Sequence, residues 1–280
     1  MTDTAATTST GSLRTASATG RGWGGSSVWT QVRVLTARSL HNLATDPQAI
    51  VFGLVQPLIM LVLFSQVFGN MIDASALPEG ESYIDYLMPA ILVNTAMMSA
   101  LQTGVGLTQD LTNGVIARFR AMPIRMGTVL VARSLSDLLR GAIQLTLMTI
   151  VAVVVFGYDP AGGPAGIVFS GLLAVALGAG LGWIFLGLGT VVRNAEAMQT
   201  IGMTIMFPLM FASSAFVTVE SLPSWLQVIA TINPMTYAVD AARSLALGTS
   251  TGTDWMVALA AIAAIGTVGA AIAARGIRKP

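Results

Sequence analysis

Apolar residues in this chain do not alternate with polar ones; they run. Six segments are apolar at nearly every position, roughly 49–69, 84–108, 134–157, 166–192, 197–216 and 255–274. The hydrocarbon core of a bilayer is about 30 Å thick and takes about 20 apolar residues of α-helix, a reach each segment has once tilt is allowed. The third has a polar edge, with Arg133, Asp137 and Arg140 in its first turns. The fourth and fifth are separated only by Arg193, Asn194, Ala195 and Glu196, enough for a helical hairpin turn. The pattern predicts an all-α membrane protein with six transmembrane helices over residues 49–274.

Two further stretches are amphipathic. In "VWTQVRVLTARSLHNLA", within 28–46, Val28, Val32, Leu35 and Leu43 share one helical arc with Trp29 and Leu40 at its margin. Arg38 and His41 point away from that arc, which predicts an interfacial helix with tryptophan at headgroup depth. "SLPSWLQVIATINPMTYAVDAARSLALG" is too polar and too interrupted to cross. Pro223 and Pro234 each suit the first turn of a helix, so two short helices are expected there, lying on or dipping into one leaflet. Residues 1–27 are Thr, Ser, Ala and Gly with scattered Arg, and read as a disordered tail without a signal-peptide core.

Composition agrees with the pattern. The 280 residues are 54% hydrophobic and 10% charged, against about 25% charged in soluble domains. The charge is also sorted. All but one of the 14 Lys and Arg residues fall in 1–48, 109–140, 193–196 and the basic end 275–280; the exception is Arg243. The positive-inside rule then places both termini in the cytoplasm. With no cysteine, one histidine (His41) and one lysine (Lys279), the chain lacks disulfides, thiolate chemistry and a histidine-built zinc site.

Four motifs carry candidate chemistry. "DLTNGVIARFRAMPIR" puts Arg118, Arg120 and Arg125 into a chain that otherwise avoids charge, and is punctuated at Gly114 and Pro123. On a helix Leu111, Val115, Phe119 and Met122 make one apolar stripe. Snorkelling into lipid headgroups is the ordinary use of such an element, and presentation to a soluble partner is the other. Arg133, Asp137, Arg140 and Gln144 share a face of the third segment; a structural ion pair near the cytoplasmic interface suits them better than a proton relay, because arginine does not release protons. Asn94, Met98 and Gln102 share a face of the second segment, and Met198, Met203, Met206 and Met210 with Phe207 mark the fifth. Such residues line adaptable paths or mediate helix packing. In "LGAGLGWIFLGLG" Gly178 and Gly182 form a GxxxG packing motif inside a span. No phosphate loop exists, since Lys279 lies between Arg278 and Pro280.

The strings "NGVIARFRAMPIRMGTVLVARSLSDLLR" and "SLPSWLQVIATINPMTYAVDAARSL", in this order among six spans, resemble ABC-2 family export permeases, nearest the daunorubicin-resistance type of actinobacteria. The resemblance covers nearly everything after residue 28. It implies the type V ABC exporter fold in a bacterial cytoplasmic membrane, with an N-terminal amphipathic connecting helix, a cytoplasmic coupling helix and extracellular re-entrant helices between spans five and six. It implies ATP-driven export of a hydrophobic or amphipathic small molecule (a drug, antibiotic or lipid). ATP and Mg would be bound by two copies of a separate ATP-binding protein, with no cofactor or metal in this chain and no nucleic acid as partner. Asp110, Asn113, Gly114, Arg118, Phe119, Arg120 and Pro123 become candidate contacts to that protein, and Trp29, Arg33, Arg38 and His41 belong to the connecting helix. Asn233, Pro234 and Tyr237 fall at the outer gate. Asn94, Met98, Gln102, Met203, Met206 and Phe207 would line the path, facing a second permease copy in a homodimer or paralogous heterodimer. Many members carry a carboxylate pair where this chain offers only Asp110. Export of polysaccharide or a lipid-linked glycan, which wants aromatic stacking surfaces and many hydrogen-bonding groups in the path, is the nearest competing reading. An ATP-independent carrier or intramembrane enzyme is a further one.

Overall fold

The computed structural model describes residues 47–68, 82–120, 126–192, 194–249 and 254–276. The connecting helix with Trp29, Arg33, Arg38 and His41, the tail 1–27 and Pro123 lie outside them. The described residues form helices α1 (Pro47–Phe68), α2 (Tyr83–Thr112), α3 (Val115–Arg120), α4 (Met126–Phe156), α5 (Gly163–Gly189), α6 (Ala195–Phe211), α7 (Ser224–Ile232), α8 (Pro234–Ala246) and α9 (Asp254–Gly276), with one 3₁₀ turn at Val219–Ser221.

Four of these are long and apolar enough to cross a bilayer: Tyr83–Thr112, Gly127–Phe156, Gly163–Gly189 and Trp255–Gly276. The fifth expected segment falls short of that measure. Helix α1 has 22 residues without a charge and is apolar over most of its length, Gly53–Val67 included. Helix α6 has 17 residues and stops at Phe211 rather than near 216. Its last carbonyls are taken by side chains instead of another turn: Ser213 Oγ donates to Met210 O at 2.7 Å, and Asn233 Nδ2 donates to Leu209 O at 2.7 Å and Ala212 O at 2.6 Å.

Helices α2 and α4 exceed expectation. At 30 and 31 residues each is about 45 Å long at 1.5 Å per residue, well beyond a hydrocarbon core of about 30 Å. The excess lies at the end of α2 and the start of α4, so both project from the same side with α3 between them. Because α4 begins at Met126 and not near 134, Arg133, Asp137 and Arg140 sit from its third turn onward rather than in its first.

Helix α2 is the core of the bundle. Ser82 and Asp85 close its start as a capping box, and it packs against α1, α4, α5, α6 and α8. Leu87, Met88, Leu92, Val93 and Leu101 are fully buried. The outward faces of the other long helices are apolar instead, with Val154 76%, Leu172 58% and Val257 64% exposed. Water does not favour such surfaces over several helices, and lipid does. Helices α5 and α9 meet where glycine removes the side chain: a Cβ on Gly180 would come within 2.9 Å of the Ile262 carbonyl oxygen. Close packing by glycine is thus realised on α5, but by Gly180 and Gly187 against α9 and Gly178 against α2. Nothing lies within 4 Å of a Cβ placed on Gly182.

Candidate functional site

The projecting end of α2 turns at Asn113–Gly114, where Gly114 has φ +71°. A side chain disfavours this left-handed backbone, and glycine ends helices there readily. The chain restarts as α3, so Leu111 and Val115 do not share one continuous helix as the apolar stripe predicts. Leu111 ends α2, and the residue that anchors α3 is Ile116, buried with Leu107, Val129, Leu130, Leu186 and Ala273. Asn113 and Arg118 are exposed beside this elbow, and α3 carries Phe119 and Arg120.

Asp110, one turn before the elbow, is bound to α4. Its carboxylate forms a salt bridge with Arg133 Nη1, while Arg133 Nε lies 3.5 Å from Asp137 Oδ2. The guanidinium rests across α2 over Gly106, where a Cβ would collide with Arg133 Nη2. One arginine therefore bridges two carboxylates on two helices. Arg140, expected to share this pairing within α4, makes no salt bridge among the described residues and is exposed.

Behind Arg133, between α1, α2 and α4, opens a cavity of about 450 Å³. Asn94, Met98 and Gln102 face it from α2, and Arg133, Asp137, Arg140 and Gln144 from α4. Two polar stripes that the sequence offers separately thus converge on one space. Gln144 Nε2 donates to the Gly53 carbonyl at 2.7 Å and holds α1 against α4. Two buried acceptors in the cavity wall have no hydrogen-bond partner, Asn94 Oδ1 and Asp137 Oδ2. The α6 residues are placed elsewhere. Met206 is buried in the core, Met203 and Phe207 face outward, and Phe207 meets Phe211 with ring centroids 4.9 Å apart. Helices α2 and α6 touch through Gln102 Nε2, which donates to Gln199 Oε1 at 3.3 Å.

The opposite end of the bundle is closed by α7 and α8, the two short helices expected from Pro223 and Pro234. Asn233 is buried and caps α8 by accepting from Met235 N at 2.9 Å, while its amide holds the end of α6. Pro234 is the first residue of α8, and the exposed Tyr237 donates to Thr231 O at 2.7 Å. The hub here is Arg243. Its Nε donates to Tyr86 O at 3.1 Å, Nη2 to Ser214 O at 2.8 Å and Nη1 to Asp240 Oδ1 at 3.1 Å. The guanidinium carbon lies 3.7 Å from the Tyr86 ring centroid, a cation–π stack. Burial lowers the guanidinium pKa from its ordinary value, and Tyr86 and Asp240 oppose that shift. Sequence reasoning placed Arg243 on this side without giving it a role. The signal was available: a single arginine among Ala241, Ala242, Leu245 and Ala246, on the side that otherwise excludes basic residues, needs a partner.

Residues 30–247 match the family model described as ABC-2 type transporter. The chain is 32% identical over 204 residues to the daunorubicin resistance ABC transporter permease protein DrrB1 of Streptomyces coeruleorubidus, covering 73% of this chain and 70% of that one. It is 24% identical over 221 residues to the probable doxorubicin resistance ABC transporter permease protein DrrC of Mycobacterium tuberculosis, covering 78% and 77%. Over 225 residues it is 24% identical to the putative transport permease ycf38 of Porphyra purpurea, covering 80% and 75%.

Proposed function

This chain belongs to the ABC-2 type transporter family as the permease component of an ABC transporter, and we propose that it exports a lipophilic or amphipathic small molecule across the bacterial cytoplasmic membrane. In this reading α1 and α6 complete a six-span topology with both termini in the cytoplasm. Two copies of a separate ATP-binding protein dock on the elbow at Asn113–Arg120 and on the connecting helix. A second permease copy, identical or paralogous, completes the path. Similarity to a daunorubicin resistance and a probable doxorubicin resistance ABC transporter permease supports a lipophilic small-molecule cargo.

The observation that carries the proposal is the Asp110–Arg133–Asp137 bridge. It joins the elbow, where a soluble motor would push, to the wall of the cavity of about 450 Å³ between α1, α2 and α4. Movement of a docked subunit would reach the cavity as rigid-body displacement of α2 and α4. The cavity offers the amides of Gln56, Asn94, Gln102, Gln109 and Gln144 for hydrogen bonds but no aromatic face among its lining residues, and the missing stacking surface favours an amphipath over a sugar chain.

The test is reconstitution of the permease with an ATP-binding protein that copurifies with it. Uptake of a lipophilic fluorescent dye into inside-out vesicles should require ATP and should stimulate ATP hydrolysis. Transport by this chain alone on an ion gradient would overturn the reading in favour of a carrier.

A further inference from the structure

We propose that the cavity between α1, α2 and α4 is a binding site for the head group of a zwitterionic amphipath, one bearing a primary ammonium beside a phosphate, as in an ethanolamine phospholipid. The inference rests on the permease reading for its purpose and names the cargo class.

The charges of the wall set the chemistry. Arg133 is shared between Asp110 and Asp137, which leaves Asp137 Oδ2 buried with a guanidinium nitrogen 3.5 Å away and no hydrogen bond. Asp137 and Arg140 stand at i, i+3 on α4, a spacing at which opposite charges ordinarily meet. Here they do not: Asp137 leans to Arg133, and Arg140 lines the cavity without a salt bridge among the described residues. The site therefore presents one under-satisfied carboxylate and one unpaired guanidinium a single turn apart. A monoanion answers only Arg140 and a simple amine answers only Asp137, whereas an ammonium and a phosphate on one short linker answer both.

A second buried acceptor points the same way. Asn94 is 9% exposed, lines the same cavity, and its Oδ1 has no partner. It lies nine residues along α2 from Thr103, which lines the cavity beside Asp137, and so about 13 Å deeper at 1.5 Å per residue. Both unmet groups accept hydrogen bonds and so take a donor, first at the mouth and then along the path. At Asp137, where Arg133 Nε stays 3.5 Å away and unbonded as well, a charged N–H donor is the stronger one. Met60 and Met98 supply a deformable apolar wall for the attached chains.

Binding to the purified full-length permease, without its ATP-binding partner, tests this directly by native mass spectrometry or tryptophan fluorescence titration. The probes are short-chain phosphatidylethanolamine, phosphatidylcholine and phosphatidylglycerol with the same acyl chains, and water-soluble glycerophosphoethanolamine. The ethanolamine lipid should bind about tenfold more tightly than the other two lipids, because choline has no N–H donor and glycerol no positive charge. Asp137→Asn should erase that preference while leaving phosphatidylglycerol binding unchanged, and Arg140→Gln should weaken both lipids. Arg140 is exposed, so its variant folds even if the other does not.

Equal binding of the three lipids, or a preference that survives both substitutions, would overturn the assignment. Glycerophosphoethanolamine binding as tightly as the lipid would transfer the site to a soluble phosphoester and overturn it too. Dye export without ethanolamine-lipid binding would sink this inference and leave the export reading standing. Binding with the predicted selectivity but no ATP-driven transport would do the reverse.

Discussion

The two ends of the bundle hold arginine in opposite ways. At the end closed by α8, Arg243 has three carbonyl or carboxylate partners within 3.1 Å and an aromatic ring beneath it. At the elbow end, Arg133 is divided between two carboxylates, Arg140 is left without a salt bridge, and the neighbouring wall keeps two unsatisfied acceptors. Every nitrogen of the Arg243 guanidinium has a partner, although Tyr86 Oη and Thr236 Oγ1 at the same end have none among the described residues. Each partner lost from such a buried network raises the energy steeply. A partly satisfied one costs little to rearrange and gains from a ligand that supplies what is missing. The contrast separates a fixed closure from a responsive site within one 280-residue chain.

The sharpest way to break the comparison is to remove Arg243. Arg243→Leu strands the carbonyls of Tyr86 and Ser214 and frees α8 from α2, and should cost on the order of 3–5 kcal/mol. Thermal melting followed by size-exclusion should show most of the folded species lost. Arg243→Lys, which keeps the charge but not the planar fork or the stack on Tyr86, should fall between. Next in size is Asn233→Ala, which removes the cap of α8 and the donor to Leu209 and Ala212 at once. A loss of about 2 kcal/mol is expected, read as a lower melting temperature. If either variant melted like the parent, the end closed by α8 would not be the rigid one.

How legible this contrast was in the sequence depends on what kind of interaction makes it. Long apolar runs announced the bundle, and Pro223 and Pro234 announced α7 and α8, because those signals are local. Asn94, Gln102, Arg133 and Asp137 were each visible as polar exceptions within apolar segments. Their convergence was not, since which face of α2 meets which face of α4 depends on packing between helices. Leu111 and Val115 failed to share one amphipathic helix for a local reason: glycine at 114 takes the left-handed backbone and resets the helical phase. Arg133 was read within its own helix, where i, i+4 spacing is easy to see. Its stronger partner, Asp110, is 23 residues away in sequence.

At the responsive end the effects should fall on function before stability. Arg133→Gln removes the bridge and leaves Asp110 and Asp137 facing each other without a cation. Both carboxylates are partly exposed, so repulsion is softened by solvent, and a stability loss of about 1 kcal/mol is expected. Coupling should suffer far more: ATP hydrolysis by the docked subunits should continue while cargo-stimulated hydrolysis disappears. A variant in which stimulation persisted would show that the bridge merely braces two helices.

The smallest stability effect belongs to Gly114→Ala, and it isolates backbone from packing. A Cβ at this position meets nothing within 4 Å, so the whole penalty is conformational, about 1 kcal/mol for a side chain held at φ +71°. Asn tolerates that region better than Ala, so Gly114→Asn should recover part of the loss. If the elbow only reverses the chain, both variants should retain coupled transport in proportion to their folded fraction. If it is the surface on which the ATP-binding subunit pushes, Gly114→Ala should lower copurification of that subunit more than it lowers the melting temperature, because the elbow's direction changes while its contacts within the bundle do not. Measuring copurification and melting on the same preparation separates the two outcomes, and Gly114→Asn, with the αL backbone restored, should return both toward the parent.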